Sequence, residues 1–313
     1  MASPAAASHV VVAVVVSYNR RTALLETLTA ILGQHRPPER VLLIDNASTD
    51  GTAESVRDQF GASVELVALG VNTGGAGGFA LGLERALRSG ADLVWLMDDD
   101  AVPEPTALGA LIEAYDGYPG TDRPALVASH VVWTDGATHR MNMPRRRRDA
   151  TAQQHRAAAA VGCTPIRTAS FVSVLIDGAA AREEGPVLAD YFLWNDDVEY
   201  TARLLRRRVG LRCPASVTVH RTTTNYNTLA ESGDRLLLDV RNMLWFVGRC
   251  RGLTLRERAF FVAITARRWF RTVQRSSHRM TTVATIARGI VAAARRGPRP
   301  TPQVLAGLSP WMN

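Results

Sequence analysis

Residues 93–100 read Leu-Val-Trp-Leu-Met-Asp-Asp-Asp, an apolar run that goes straight into three carboxylates. An unbroken apolar run of this length is what a strand covered on both faces requires. A polar cluster at its carboxyl end is where open parallel sheets gather their ligands. Working backwards, the same unit recurs. Val64–Leu69 runs into Asn72-Thr73-Gly74-Gly75-Ala76-Gly77-Gly78, read as a glycine-rich loop ahead of a helix over Phe79–Ser89. Val41–Ile44 runs into Asp45–Gly51, a polar turn capping a helix over Thr52–Phe60. The run Val10–Val16 ends on Ser17–Arg20, and a helix over Arg21–Gln34 is broken by Pro37-Pro38. These repeated βα units predict an α/β fold, an open and mostly parallel sheet flanked by helices, with four polar clusters gathered at one edge.

Working forwards, a helix is expected from near Pro105, and Arg145–Arg148 with its surroundings reads as an exposed loop. Val172–Ile176 predicts a strand. Tyr191–Trp194 leads into Asn195-Asp196-Asp197 and a helical pattern over Val198–Arg207, and Val217–Val219 predicts a short strand ending at His220. From Asp234 onwards the chain is helical and rich in arginine, which divides it into residues 8–230 and 231–313.

The 313 residues suffice for a full core, and 46% hydrophobic with 21% charged residues is a globular rather than a disordered composition. Val10–Val16 is too short for a secretory core or a membrane span, and no later stretch reaches spanning length, so a soluble or peripheral protein is expected. Cys163, Cys213 and Cys250 lie far apart without a CxxC pair and are expected to be small buried residues in a reducing cytoplasm. Every basic residue is arginine. Residues 231–313 hold 15 arginines against four acids, a balance of +11, whereas the rest carries −3. One end of the molecule is therefore suited to anionic lipid, diphosphate or nucleic acid. Arg256–Arg275 and Thr281–Arg296 alternate arginine with apolar residues, compatible with helices on an anionic bilayer or with a helical subdomain carrying a solvated basic face. No nucleic-acid module is recognisable, and the acidic clusters would repel phosphate unless they held metal.

Three adjacent carboxylates at Asp98–Asp100 repel one another, and magnesium or manganese with oxygen ligands would relieve this while bridging a substrate diphosphate. A solvated acidic turn at a helix start is the alternative. Asn72–Gly78 allows close backbone approach to a phosphate or sugar, or is simply flexible; it matches neither GxGxxG nor a P-loop, which needs a lysine. Asp196 or Asp197 suits a general base, or Asn195 or Asp196 caps the following helix. His220 could complete a metal shell or be an ordinary hydrogen-bonded residue, and Trp194 could stack on a sugar or belong to the core.

In this order VVVSYNR, LLIDNASTDGT, LGVNTGGAGGFALGL, VWLMDDDA, FLWNDDVEY and VTVH resemble the family 2 glycosyltransferases of GT-A fold, over about residues 8–230. The combination of NTGGAGGF, LMDDD and WNDDVE is most similar to the actinobacterial cell-wall galactofuranosyltransferases, which build galactan on a polyprenyl-diphosphate carrier. The resemblance implies a GT-A nucleotide-binding sheet with a basic helical C-terminal region, and an inverting enzyme using Mn2+ or Mg2+. It makes Asp98, Asp100 and His220 metal ligands, Asp197 the catalytic base, and Asp196 with Trp194 an acceptor-side pair. Arg20, Asp45, Asn72, Gly74, Gly75, Asp98 and Asp99 fall at the donor. It further implies a UDP-sugar donor, UDP-galactofuranose first, and a lipid-linked glycan acceptor. Cytoplasmic placement at the inner face of the plasma membrane follows, with no nucleic-acid partner; rhamnosyl- or other hexosyltransferases using a dTDP- or UDP-sugar share several elements. The tryptophan lies one residue earlier than in the polymerising members, and their extra N-terminal domain is missing, which points to an initiating type of enzyme.

Overall fold

The computed structural model describes residues 9–222 and 233–308, so the expected division at 230/231 lies outside the described residues. Strand β1 (Val11–Ser17) is buried along its whole length, as its near-continuous valines require. It lies between β2 (Arg40–Asp45) and β4 (Leu93–Asp98), with β3 (Glu65–Ala68) beyond β2, all parallel. Helices α1 (Arg21–Leu32), α2 (Thr52–Phe60) and α3 (Gly74–Arg88) make the crossovers. The register pairs Ser17 with Asp45 and Val16 with Asp98, so the polar strand ends meet at one edge.

Past β4 the sheet is mixed rather than parallel. The later elements are β5 (Ala101–Pro103), α4 (Ala107–Asp116), β6 (Leu126–Val132), β7 (Arg145–Arg146), α5 (Ala152–Ala160), β8 (Thr164–Thr168), β9 (Ser173–Asp177), α6 (Gly178–Glu184), α7 (Asp196–Leu204) and β10 (Gly210–His220). The strand order is β3-β2-β1-β4-β9-β6-β10-β8-β7, with β5 on β10. β9 runs antiparallel to both β4 and β6, a long-range pairing that no local periodicity announces. β5 pairs antiparallel with the end of β10 and sets His220 opposite Ala101, one residue from Asp100.

Two expectations need correction. The stretch Asn72–Gly78 is not a loop throughout, because α3 begins at Gly74. A Cβ at Gly78 would collide with Val16 and Asn46, and one at Gly82 with Val14 and Ile44, so these glycines let the helix lie close on β1 and β2. Packing thus overrides their poor helix propensity. Arg145, Arg146 and Arg148 are exposed as expected, but the segment is no free loop: Arg145 and Arg146 pair with β8, and Arg147 donates to the carbonyls of Leu205 and Arg208 at 3.1 and 2.7 Å. The Arg145 guanidinium lies 4.6 Å from the Phe261 ring centre.

The C-terminal helices are α8 (Gly233–Arg249), α9 (Leu255–Arg275), α10 (Arg279–Arg295) and the short α11 (Thr301–Val304). They pack on the sheet unit. Trp245 is fully buried with its ring 5.7 Å from that of Tyr191, and Phe246 meets Phe261 edge-on at 4.9 Å. Thr254 and Glu257 form a capping box at the start of α9, and buried Arg167 of β8 ties in by donating to Glu257 and to the Ala202 carbonyl, each at 2.7 Å. All three cysteines are buried. Among the described residues no helix is long and apolar enough to cross a membrane.

Candidate active site

A cavity of about 1110 Å3 opens at the carboxyl edge of β1 and β4 and is closed on its far side by α8 and α9. Its lining holds Arg20, Gly75, Asp98, Asp99, Asp100, Trp194, Asp196, Asp197 and His220 together. Asp45, Asn72 and Gly74 are not in that lining. Asp45 accepts the Ser48 amide at 3.2 Å, Asn72 accepts the Gly74 amide at 2.7 Å, and Gly74 sits at φ +72° with no room for a Cβ against the Phe192 carbonyl. These three shape the edge of the site from behind.

The three aspartates divide their work. Asp99 turns inward, accepting from the Ser17 hydroxyl at 2.8 Å and the Tyr18 amide at 3.3 Å, which fixes the turn on the end of β1. Asp100 meets His220 Nε2 at 2.9 Å and is paired with the Arg20 guanidinium. One donor atom each from Asp98, Asp100 and His220 lie within 4.8 Å of one another. Asn142 Oδ1 accepts from His220 Nδ1 at 2.9 Å, which turns Nε2 toward the carboxylates.

Burial, then the charge of Asp100, pushes the Asp98 carboxyl up to about 6. The same two causes, in the same order, push Asp99 up to about 7. Burial works against the ionised forms of Asp100 and His220, yet their mutual hydrogen bond and charges prevail, holding Asp100 below its usual range and His220 above its own. The two raised carboxyls mark an excess of negative charge around Asp100 that the Arg20 guanidinium offsets only in part. Two carboxylates and an imidazole, oriented by a neighbouring amide, form a donor set that suits a hard divalent cation.

On the facing wall the backbone is strained. Phe192, Trp194 and Asn195 have φ of +63°, +67° and +65°, a region that side-chain-bearing residues rarely occupy. Asn195 occupies the N-cap position of α7 but makes no side-chain cap; its amide reaches Asp239 Oδ1 at 3.4 Å. What holds the turn is Asn242 of α8, fully buried, whose amide donates to the carbonyls of Tyr191, Leu193 and Trp194 at 2.8, 2.8 and 3.0 Å. Asp239 is gripped by Arg268 of α9 at 2.7 Å. The turn delivers Asp196 and Asp197 to the cavity. Burial, and beyond it the Asp98 charge, pushes Asp197 up to about 7, though the Val198 amide at 2.7 Å opposes this. Burial and the Asp197 charge drive Asp196 well above its usual range.

Asn142, Asn242, Asp239 and Arg268 carried no signal in the sequence, since each acts across at least 29 positions of chain. Asn242→Ala is expected to cost about 1–3 kcal/mol by leaving buried carbonyls without a donor. It should also lower turnover by up to ~10²-fold through misplacement of the acid pair, with donor affinity kept. Denaturant unfolding and single-turnover rates check this; an unchanged rate would separate the turn from catalysis.

The fold and this site define a glycosyltransferase of GT-A architecture. The chain belongs to glycosyl transferase family 2, whose family model matches residues 12–174. It is 43% identical over 101 residues to galactofuranosyltransferase GlfT1 of Mycolicibacterium smegmatis, covering 32% of this chain and 33% of that protein. It is 32% identical over 204 residues to galactofuranosyltransferase GlfT1 of Mycobacterium tuberculosis, covering 63% of this chain and 64% of that protein. The chain thus spans less than two thirds of the relatives it matches. Among solved structures, S. aureus TarS aligns with a TM-score of 0.59 at 15% identity, covering 90% of this chain and 49% of that one. Mannosyltransferase PcManGT of Pyrobaculum calidifontis, in complex with GDP-Man and Mn2+, aligns with a TM-score of 0.54 at 19% identity, covering 95% and 79%.

Proposed function

We propose that the chain is an inverting, metal-dependent glycosyltransferase that moves galactofuranose from UDP-galactofuranose to a polyprenyl-diphosphate-linked glycan of the cell wall. The observation that supports it is a buried carboxylate, Asp197, in the same cavity as the cluster of Asp98, Asp100 and His220. Asp197 accepts the proton of an acceptor hydroxyl as that oxygen attacks the anomeric carbon opposite the leaving group, so one displacement inverts the centre. Asp98, Asp100 and His220 would hold Mn2+ or Mg2+, which when bound neutralises charge on the departing nucleoside diphosphate. Arg20 stands beside that position. Asp45, Asn72, Gly74 and Gly75 shape the donor edge, and Asp99 keeps it in register with β1. Trp194 and Asp196 face the acceptor. The protein works at the cytoplasmic face of the plasma membrane, held there peripherally by its basic helices.

Donor choice tests the reading. Purified protein with Mn2+ and a panel of UDP-, GDP- and dTDP-sugars should release nucleoside diphosphate from UDP-galactofuranose alone, dependent on a lipid-linked glycan and abolished by chelator. Release from dTDP-rhamnose instead would keep the fold and replace the sugar. No release from any donor by folded protein, together with salt-sensitive binding to polyanions, would replace the enzyme by a binding protein.

A further inference from the structure

Helix α9 has two unlike faces. Arg267, Arg271 and Arg275 recur every four residues and so stack along one side of the helix, where they line the cavity with Arg235 of α8. Arg268 lines the same wall but is engaged by Asp239. Among the described residues no carboxylate pairs with Arg235, Arg267, Arg271 or Arg275. About one residue's rotation from the row, α9 exposes Phe270, its farther side exposes Leu255 and Val262, and the neighbouring α10 exposes Met280, Val283 and Ile290. The acids of α9 do not offset the row, since its sole carboxylate, Glu257, is held by Arg167.

We infer that Arg267, Arg271 and Arg275, with Arg235 opposite, form a phosphate subsite for an amphiphilic acceptor, one whose sugar is joined through phosphate or diphosphate to an apolar tail. The inference rests on the glycosyl-transfer reading of the cavity and assigns its other wall. Guanidinium groups grip phosphate oxygens in pairs, and a row of them at helical spacing matches two linked phosphates better than one. The donor diphosphate has its own partners across the cavity at Arg20 and the Asp98–Asp100–His220 cluster. The row belongs to the wall that also carries Asp239 and the Trp194–Asp197 turn. A tail leaving this subsite would emerge beside exposed Phe270 of α9, while the sugar end points to Asp197.

The test uses farnesyl diphosphate as probe, in excess EDTA so that no cation assists binding at the carboxylate cluster. Wild-type protein is expected to bind it, and the triple variant Arg267→Gln/Arg271→Gln/Arg275→Gln to bind it ~10-fold or more weakly, the equivalent of about one lost charge-assisted hydrogen bond. Glutamine preserves helix propensity, and circular dichroism checks the fold. UDP affinity in Mn2+ should not change. In neutral detergent, KM for a diphosphate-linked glycan should rise by ~10-fold or more in the variant, while the same glycan on a neutral alkyl chain is used as before. Unchanged farnesyl diphosphate binding overturns the inference. So does weakened UDP binding or equal loss with both acceptors, which would give the row to the donor. Loss confined to anionic vesicles would assign it to bilayer headgroups. Wild-type protein that binds the probe yet transfers no sugar would remove the enzymatic reading and leave the subsite standing.

Discussion

Asp197→Asn is expected to lower turnover by ~10²–10⁴-fold, the usual worth of a general base, with nucleotide-sugar affinity nearly unchanged. The substitution is close to isosteric and retains an oxygen to accept the Val198 amide, so the start of α7 should survive it. What it removes is the proposed proton acceptor. Burial and Asp98 hold the Asp197 carboxyl up at about 7, where a base is strong enough to take a hydroxyl proton yet still ionises near neutrality. Its active form is the deprotonated one, so the rate should rise as pH climbs through that region. A cation at the Asp98 side would move the limb to lower pH by offsetting the carboxylate's charge. In Asp197→Asn the limb should vanish from the residual rate. Near-normal turnover would pass the role to Asp196, whose carboxyl is driven well above its usual range by burial and the Asp197 charge.

The second large effect concerns the carboxylate cluster. Saturating Mn2+ should stabilise the protein by about 2.7 kcal/mol at a hundred times its dissociation constant, read as a rise in Tm. His220→Ala and Asp98→Asn should lose both the shift and the transfer activity. The pH dependence has a definite sign. Asp98 rises from an ordinary 3.8 to about 6 in the folded protein, so its protonated form stabilises the fold fully below the lower value. That contribution disappears as pH rises through the higher one. The metal-free fold is therefore weakened at alkaline pH by ionisation of Asp98 beside Asp100, and Mn2+ should raise Tm more at pH 8 than at pH 5. An equal shift in wild type and His220→Ala would mean that the ion binds elsewhere.

The parallel half of the sheet was legible because its signals are local. Each parallel strand is a buried apolar run ending in a polar cluster, and β1, β2, β3 and β4 emerged within a residue or two of the expected bounds. Asp98, Asp100, Asp196, Asp197 and His220 could be singled out as charged residues abutting apolar segments, and the cavity brings them together. The extent of α3 was misjudged because glycine's reason for being at positions 78 and 82 lies in Val14 and Val16, some sixty residues earlier. The antiparallel insertion of β9 and the pairing of β7 with β8 depend on partners that sequence periodicity does not name. The wall that carries Asp196 and Asp197 was hidden for the same reason. Asn242 and Arg268 look like ordinary helix residues until the fold puts them under the 192–195 turn and onto Asp239.

The hold of Asn242 on a turn 48 residues earlier also makes that turn depend on a helix that follows it in the chain. The sheet and the cation cluster involve nothing beyond His220 and can assemble while α8 is still being made. Phe192, Trp194 and Asn195 have no reason to leave ordinary backbone angles until that helix arrives. The carboxylate–histidine cluster is therefore complete in the chain before the helix that sets the turn carrying Asp196 and Asp197.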